Sequence, residues 1–131
     1  MKKFILIGSF IFSFSYGFTQ NTPSNQVDIT KLLKFTNDNY DMGKIKFGKT
    51  IEYTVDIQNI SNYNISLDNV MAGCGCTTPK FTKDQMLTPG AHANVVLGFN
   101  GTAMGPFSKS ATLFFSGNLT KTVSFHGEGV Q

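Results

Sequence analysis

From residue 33 onward the chain is written in short runs of alternating apolar and polar positions, separated by clusters of Asn, Gly, Ser and Pro. The clearest run is Thr50 to Gln58. Ile51, Tyr53, Val55 and Ile57 share one face, and Thr50, Glu52, Thr54 and Asp56 share the other. Successive side chains of a strand point to opposite sides of the sheet, so this pattern predicts a strand with one buried face. Asn59–Asn64 breaks it. Ile65 to Ala72 predicts the next strand, with Ile65 and Leu67 in one phase and Val70 and Ala72 in the other. The slip at Asp68-Asn69 predicts a bulge. After the turn signal Thr88-Pro89-Gly90, Val95, Leu97 and Phe99 are in phase within His92–Asn100. Gly101–Pro106 is a further break. Phe107–Ser116 (Ala111, Leu113, Phe115) and Leu119–Gly127 (Val123, Phe125) flank Gly117-Asn118, which predicts a closing hairpin.

With Leu33–Thr36 and Tyr40–Ile45 as short first strands, the pattern gives about seven strands and no sustained helical period. Short strands with turns at regular intervals predict an all-β, immunoglobulin-like antiparallel β-sandwich. The chain has no tryptophan and no cysteine pair at cross-sheet spacing, which argues against an antibody-type domain. Thirteen phenylalanines occur, and the eight beyond residue 19 are available to fill the core instead.

The N-terminus adds a location. Met1-Lys2-Lys3, the apolar run Phe4–Phe14 and the small and polar residues after it predict a signal peptide over residues 1–19, with the cut after Gly17 or Thr19. The run is too short to span a bilayer comfortably, so no transmembrane span is expected after cleavage. A flexible lead-in over 20–32 and a sandwich over 33–131 follow. The expected location is periplasmic or secreted. The formal charge of +3 falls to +1 without Lys2 and Lys3, and there is no arginine. That balance argues against nucleic acid as a partner and supplies no polybasic patch for anionic lipid.

Gly43-Lys44-Ile45-Lys46-Phe47-Gly48-Lys49-Thr50 matches the phosphate-loop pattern letter for letter. That pattern holds phosphate only between a strand and a helix N-terminus. Here an alternating strand follows, so the segment reads as a turn between two strands with its lysines in solvent.

Cys74-Gly75-Cys76 carries the only thiols. In an extended strand their Cα atoms would stand about 6.6–6.8 Å apart on one face, at the upper edge of disulfide geometry. Gly75 permits a turn that brings them closer. Three readings stay open. The pair is a quiet local disulfide or two small thiols packed in the core. It is a redox pair, although no helix follows it and Lys80 is the nearest cation. Or it is a pair of soft ligands for copper or zinc, completed by His92, His126 or Met71. Two thiols alone do not make a structural zinc site, and no cofactor is expected on the first two readings.

Nothing in the sequence spells a nucleophile–base–acid set; His126 with Glu128 is the one suggestive spacing, and it reads as an exposed contact. Four N-x-[ST] sequons, at Asn59, Asn64, Asn100 and Asn118, read as turn asparagines.

Several of these pieces occur together in one known pattern. Tyr40-Asp41-Met42-Gly43-Lys44-Ile45, Gly48-Lys49-Thr50, Val70-Met71-Ala72-Gly73-Cys74-Gly75-Cys76-Thr77-Thr78-Pro79 and Pro89-Gly90 resemble bacterial domain-of-unknown-function family 1573. That family typically reads Y-D-F-G-K-I, then a strand ending in C-G-C-T, then a P-G turn. The resemblance spans about Phe35 to Val130; Met42 stands where Phe is usual. It implies a small exported protein of the kind frequent in Bacteroidetes, with an immunoglobulin-like sandwich similar to major sperm protein and to ciliary and centrosomal scaffold domains. It implies no activity. The resulting expectation is a non-enzymatic interaction or structural module of the cell envelope, meeting an envelope protein through Lys44, Lys46, Lys49 and Lys80. The alternative is a thiol-redox or Cu(I)-handling protein centred on Cys74 and Cys76.

Overall fold

The structure is a computed structural model that describes Gly8, Gly17 and residues 27–131. Apart from those two glycines, the expected signal peptide lies outside the described residues, as does most of the expected lead-in. The rest of the lead-in is not a loose tail. Ile29–Lys31 forms a 3-10 turn capped by the Asp28 carboxylate, which accepts from the Thr30 N–H. These hydrogen bonds hold the Asp28 carboxyl below its usual range. Ile29 and Leu32 pack against the core, and Leu33 is fully buried.

Nine strands follow: β1 Leu33–Thr36, β2 Asn39–Lys46, β3 Ile51–Asn59, β4 Ile65–Ala72, β5 Thr77–Lys80, β6 Gln85–Leu87, β7 His92–Phe99, β8 Gly105–Phe115 and β9 Leu119–Val130. They make two sheets, ordered β1-β3-β7-β5 and β2-β9-β8-β4-β6. The protein is an all-β sandwich, with two more strands than the alternation predicts. β5 and β6 are edge strands of four and three residues, too short to show a period. β2 lies parallel to β9, whereas the other pairings are antiparallel. The phase slip in β4 is a register shift between Leu67 and Asn69 against β8, as the pattern predicts. β8 and β9 form the predicted hairpin around Gly117 and Asn118, both at positive φ.

The alternating residues of the sequence are the core. Tyr53, Val55 and Ile57 of β3 meet Val95, Leu97 and Phe99 of β7 within one sheet, and Ala111, Leu113, Phe115, Val123 and Phe125 face them from the other. In place of a tryptophan on a disulfide stands an aromatic chain. Tyr40 stacks on Tyr53 at 4.6 Å, Tyr53 meets Phe125 edge-on at 5.5 Å, and Phe99 joins Phe107 at 4.8 Å. Offset and edge contacts of this kind add to the burial of large apolar area. The Tyr53 hydroxyl is buried without a hydrogen-bond partner among the described residues. Burial, with the Asp38 charge nearby, pushes it up to about 12.

Candidate functional site

Three loops meet at the end of the sandwich where β3 begins and β7 finishes. The phosphate-loop look-alike covers the end of β2, where Gly43 has positive φ, and the tight turn from β2 into β3, where Gly48 does; a strand, not a helix, follows it. Its Phe47 N–H donates to the Val130 carbonyl at 2.7 Å, and its Gly48 N–H donates to the Gly101 carbonyl at 3.0 Å. Gly101 belongs to the β7–β8 loop. A Cβ there would stand 2.4 Å from the Lys49 carbonyl oxygen, and its φ is +75°, so only glycine lets the two loops touch. Asn100, next to it, folds its own loop: its side-chain oxygen accepts from the Thr102 N–H and hydroxyl. Its backbone N–H donates at 3.0 Å to the Cys76 carbonyl, which ties in the third loop.

That third loop, residues 73–76, carries the chain from β4 in one sheet to β5 in the other. Gly73 docks on β8 through an N–H bond to the Ser110 carbonyl at 2.9 Å. Cys74 and Cys76 do not continue the phase of Val70 into the core. They sit half-buried in the turn, joined by a disulfide across Gly75 with Cα atoms 5.3 Å apart. Both sulfurs lie 3.8 Å from the Thr77 hydroxyl.

The lysines divide in two. Lys44, Lys46 and Lys49 are exposed around the first turn. Lys80 is exposed as well, but it is paired with Glu52, whose side chain crosses β7 over Gly98, where no side chain obstructs it. Beside the free lysines stand two exposed apolar side chains, Phe47 at 53% and Met104 at 55%. They flank the end of β9 from two sides, because Phe47 is bonded to Val130 and the backbone at Ala103 and Met104 abuts Gly129. Composition and periodicity gave no sign of this convergence, since the residues come from loops far apart in sequence.

His92 is not brought to the cysteines. Thr77 is opposite Phe99, at one end of β7, and His92 begins the strand at the other. At about 3.3 Å per residue that is on the order of 23 Å, so a site of Cys74, Cys76 and His92 does not assemble. His92 instead meets Asp56 at 3.0 Å on the outer face of its sheet. His126 also has an acid from a neighbouring strand, Asp41 at 3.9 Å, which spacing along one strand could not reveal. With Glu128, Lys44 and Pro106 these line a shallow notch of about 370 Å³. Ser108 is opposite His126 in register, so a serine, a histidine and an aspartate lie in a row across β8, β9 and β2. Neither histidine has a hydroxyl or thiol hydrogen-bonded to it among the described residues. Backbone N–H groups between paired strands are used in the ladder, so this flat face offers no cluster of donors to a developing oxyanion. No group of three or more His, Cys, Asp or Glu suited to a metal occurs among the described residues. Nor is any helix there long and apolar enough to cross a membrane.

Two sheets closed over an aromatic core, with one parallel edge pairing, make an immunoglobulin-like β-sandwich. The family model described as "Protein of unknown function (DUF1573)" matches residues 33–129, and the chain belongs to that family. Among solved structures it is similar to a protein of unknown function from Porphyromonas gingivalis W83, with TM-score 0.62, 14% identity, and coverage of 82% of this chain and 51% of that one. It is similar to the secreted serine protease VesC from Vibrio cholerae, with TM-score 0.61, 16% identity, and coverage of 78% of this chain and 24% of that one. The ASH/PapD-like domain 7 of human CEP192 gives TM-score 0.58, 11% identity, and coverage of 77% of this chain and 87% of that one. The chain thus spans about a quarter of VesC and about half of the Porphyromonas protein. At these identities the likeness is one of fold. No curated protein matches the sequence.

Proposed function

We propose that this protein is a non-enzymatic interaction module of the bacterial cell envelope, exported to the periplasm or beyond, that meets an envelope protein through the three-loop end of the sandwich. The observation that carries this reading is the juxtaposition of Phe47 and Met104, exposed and apolar, with the exposed Lys46 and Lys49 on loops locked together by backbone bonds. Exposed apolar side chains grouped on a rigid support mark contact surfaces, and a rim of charge adds orientation and selectivity. The likeness to sandwich domains of larger proteins supports the fold such a module needs.

The experiment is a paired substitution, Phe47→Asp with Met104→Asp, in cells that make the full chain. The wild-type protein migrates in a complex larger than itself when gently solubilised envelopes are sized, and the variant migrates alone while keeping the wild-type melting temperature. A variant that stays in the same complex contradicts the reading. So does a wild-type protein recovered from the cytosol.

A further inference from the structure

We propose that Cys74–Cys76 is a thiol–disulfide exchange site that latches the edge strand β5, so that reduction by an external dithiol frees that strand without unfolding the domain. The inference goes beyond the docking surface and does not depend on it.

The bond is poorly placed as a structural staple. A disulfide stabilises chiefly by closing a loop in the unfolded chain, and the effect grows with loop length. This one encloses Gly75 alone. It lies outside every strand, and both cysteines are half-buried, with Cys76 packed against the edge of the core; exchange requires that a thiolate reach one of the two sulfurs.

The turn does have one local task. The Cys74 carbonyl accepts from the Thr77 N–H at 3.3 Å, and the Cys76 carbonyl accepts from the Asn100 N–H at 3.0 Å. These bonds set the first residue of β5, whose Thr77 side chain is buried beneath the two sulfurs. Beyond them β5 has little hold. It is four residues long, it pairs with β7 alone, and it contains Pro79. Because bonded and non-bonded pairs alternate in an antiparallel ladder, the bond between residues 76 and 100 places the next bonded pairs at Thr78–Gly98 and Lys80–Val96. Pro79 falls at the non-bonded position, where its missing N–H costs nothing. The strand therefore hangs on two pairs, on the exposed Lys80–Glu52 ion pair and on the turn that the disulfide closes.

The chemistry is a two-electron exchange. A thiolate of the external dithiol attacks one sulfur and forms a mixed disulfide. The other cysteine leaves as a thiolate and takes up a proton. The second thiol of the reductant then displaces the first cysteine, so the reductant ends as a disulfide and the protein as a dithiol. This protein is the passive partner in that exchange. Activated thiols sit beside a cation or a helix N-terminus, whereas Lys80 is held by Glu52 and a strand follows Cys76.

The test uses the full mature chain in dithiothreitol buffers of graded potential, with alkylation and intact mass as one readout and amide hydrogen exchange as the other. Under native conditions the reduced chain gains two alkyl groups, regains its disulfide on reoxidation, and exchanges the amides of Thr78 and Lys80 faster by on the order of tenfold. The amides of Leu113 and Val123 in the β8–β9 hairpin do not change. A Cys74→Ser/Cys76→Ser double variant folds, matches the reduced protein in its β5 exchange, and is insensitive to dithiothreitol. Alkylation that needs denaturant overturns the proposal. So do equal exchange at Thr78 and Lys80 in both states, a rise in exchange across the whole domain, or a double variant that fails to fold.

Discussion

Both ends of the sandwich carry loops with exposed apolar side chains, but the ends are held together by different means. Where β3 finishes, a single side chain does the work. Asn59 is fully buried, and its amide donates to the Tyr63 and Leu87 carbonyls while its oxygen accepts from the Ser61 N–H and hydroxyl. Its backbone is used as well, towards Ala91 and from Gly90. Where β3 begins, the loops are joined by backbone contact at Gly101 and Gly129, leaving Phe47, Met104, Lys46 and Lys49 facing outward. One end turns its polar side chain inward to fix the fold. The other is joined through glycine contacts and leaves Phe47, Met104, Lys46 and Lys49 exposed. Ile60 and Tyr63 are exposed at the first end too, so exposure alone does not separate the two.

The contrast can be broken at its strongest point. Asn59→Ala takes the amide from the buried Leu87 carbonyl and the acceptor from the Ser61 N–H, while the Tyr63 carbonyl keeps the Ser61 hydroxyl at 3.3 Å; the cost is about 2–3 kcal/mol, read from a shift of the urea midpoint. If the loss is below about 1 kcal/mol, the side chain is not the hub of that end.

Gly101→Ala attacks the other end through its backbone. A Cβ would meet Lys49 main-chain atoms at 2.4 and 2.8 Å, in a conformation that L-residues rarely adopt. The expected cost is about 2 kcal/mol, with amide exchange rising first in the β2–β3 turn. A variant as stable as the parent would show that the loops are not locked.

Between the ends, Tyr53→Phe removes a buried hydroxyl that has no partner among the described residues, and the variant should be as stable as the parent or more so by up to about 1 kcal/mol. The pH dependence has a definite sign. The folded group holds its proton up to about 12, whereas an unfolded tyrosine loses it near 10. The unfolded chain thus binds fewer protons in that window, and the stability due to this group is whole below about pH 10 and is lost as the pH rises towards 12. Denaturation curves across that range should slope more steeply for the parent than for the variant. Equal slopes would place a hydrogen-bond partner on the hydroxyl.

The smallest effect is expected on the outer face of the same sheet, between β3 and β5. Lys80→Ala removes an exposed ion pair with Glu52 and should change stability by about 0–1 kcal/mol. A double-mutant cycle with Glu52→Ala measures the coupling directly, and a larger value would mean that the pair, rather than the cysteine turn, holds β5 on β7.

How much of this could be read from the chain depended on the length of each pattern. Ile51, Tyr53, Val55 and Ile57 alternate long enough to define β3, and the phase slip before Val70 marked the bulge in β4. β5 and β6 escaped because Thr77–Lys80 has no large apolar side chain and contains a proline, and Gln85–Leu87 is only three residues long. The parallel pairing of Tyr40 with Phe125 is fixed by how the sheets close and leaves no local trace. Asn59 looked like an ordinary turn asparagine because a sequence does not show which turn is buried. The cysteine loop was legible as candidate chemistry, and the lysine turn separately as a candidate contact. That Asn100 and Gly101 bind one to each was not, since both bonds run between backbone atoms and carry no residue-type signature.

The account rests on the claim that the glycine-locked end, and not the asparagine-locked end, faces another protein. The most direct measurement places one photo-reactive amino acid at Phe47 and, in a separate strain, at Tyr63, which is the more exposed at 71%, and compares adducts after illumination of living cells. The account predicts a discrete higher-mass adduct from position 47 and none from position 63. An adduct from position 63 alone, or equal adducts from both, would contradict it.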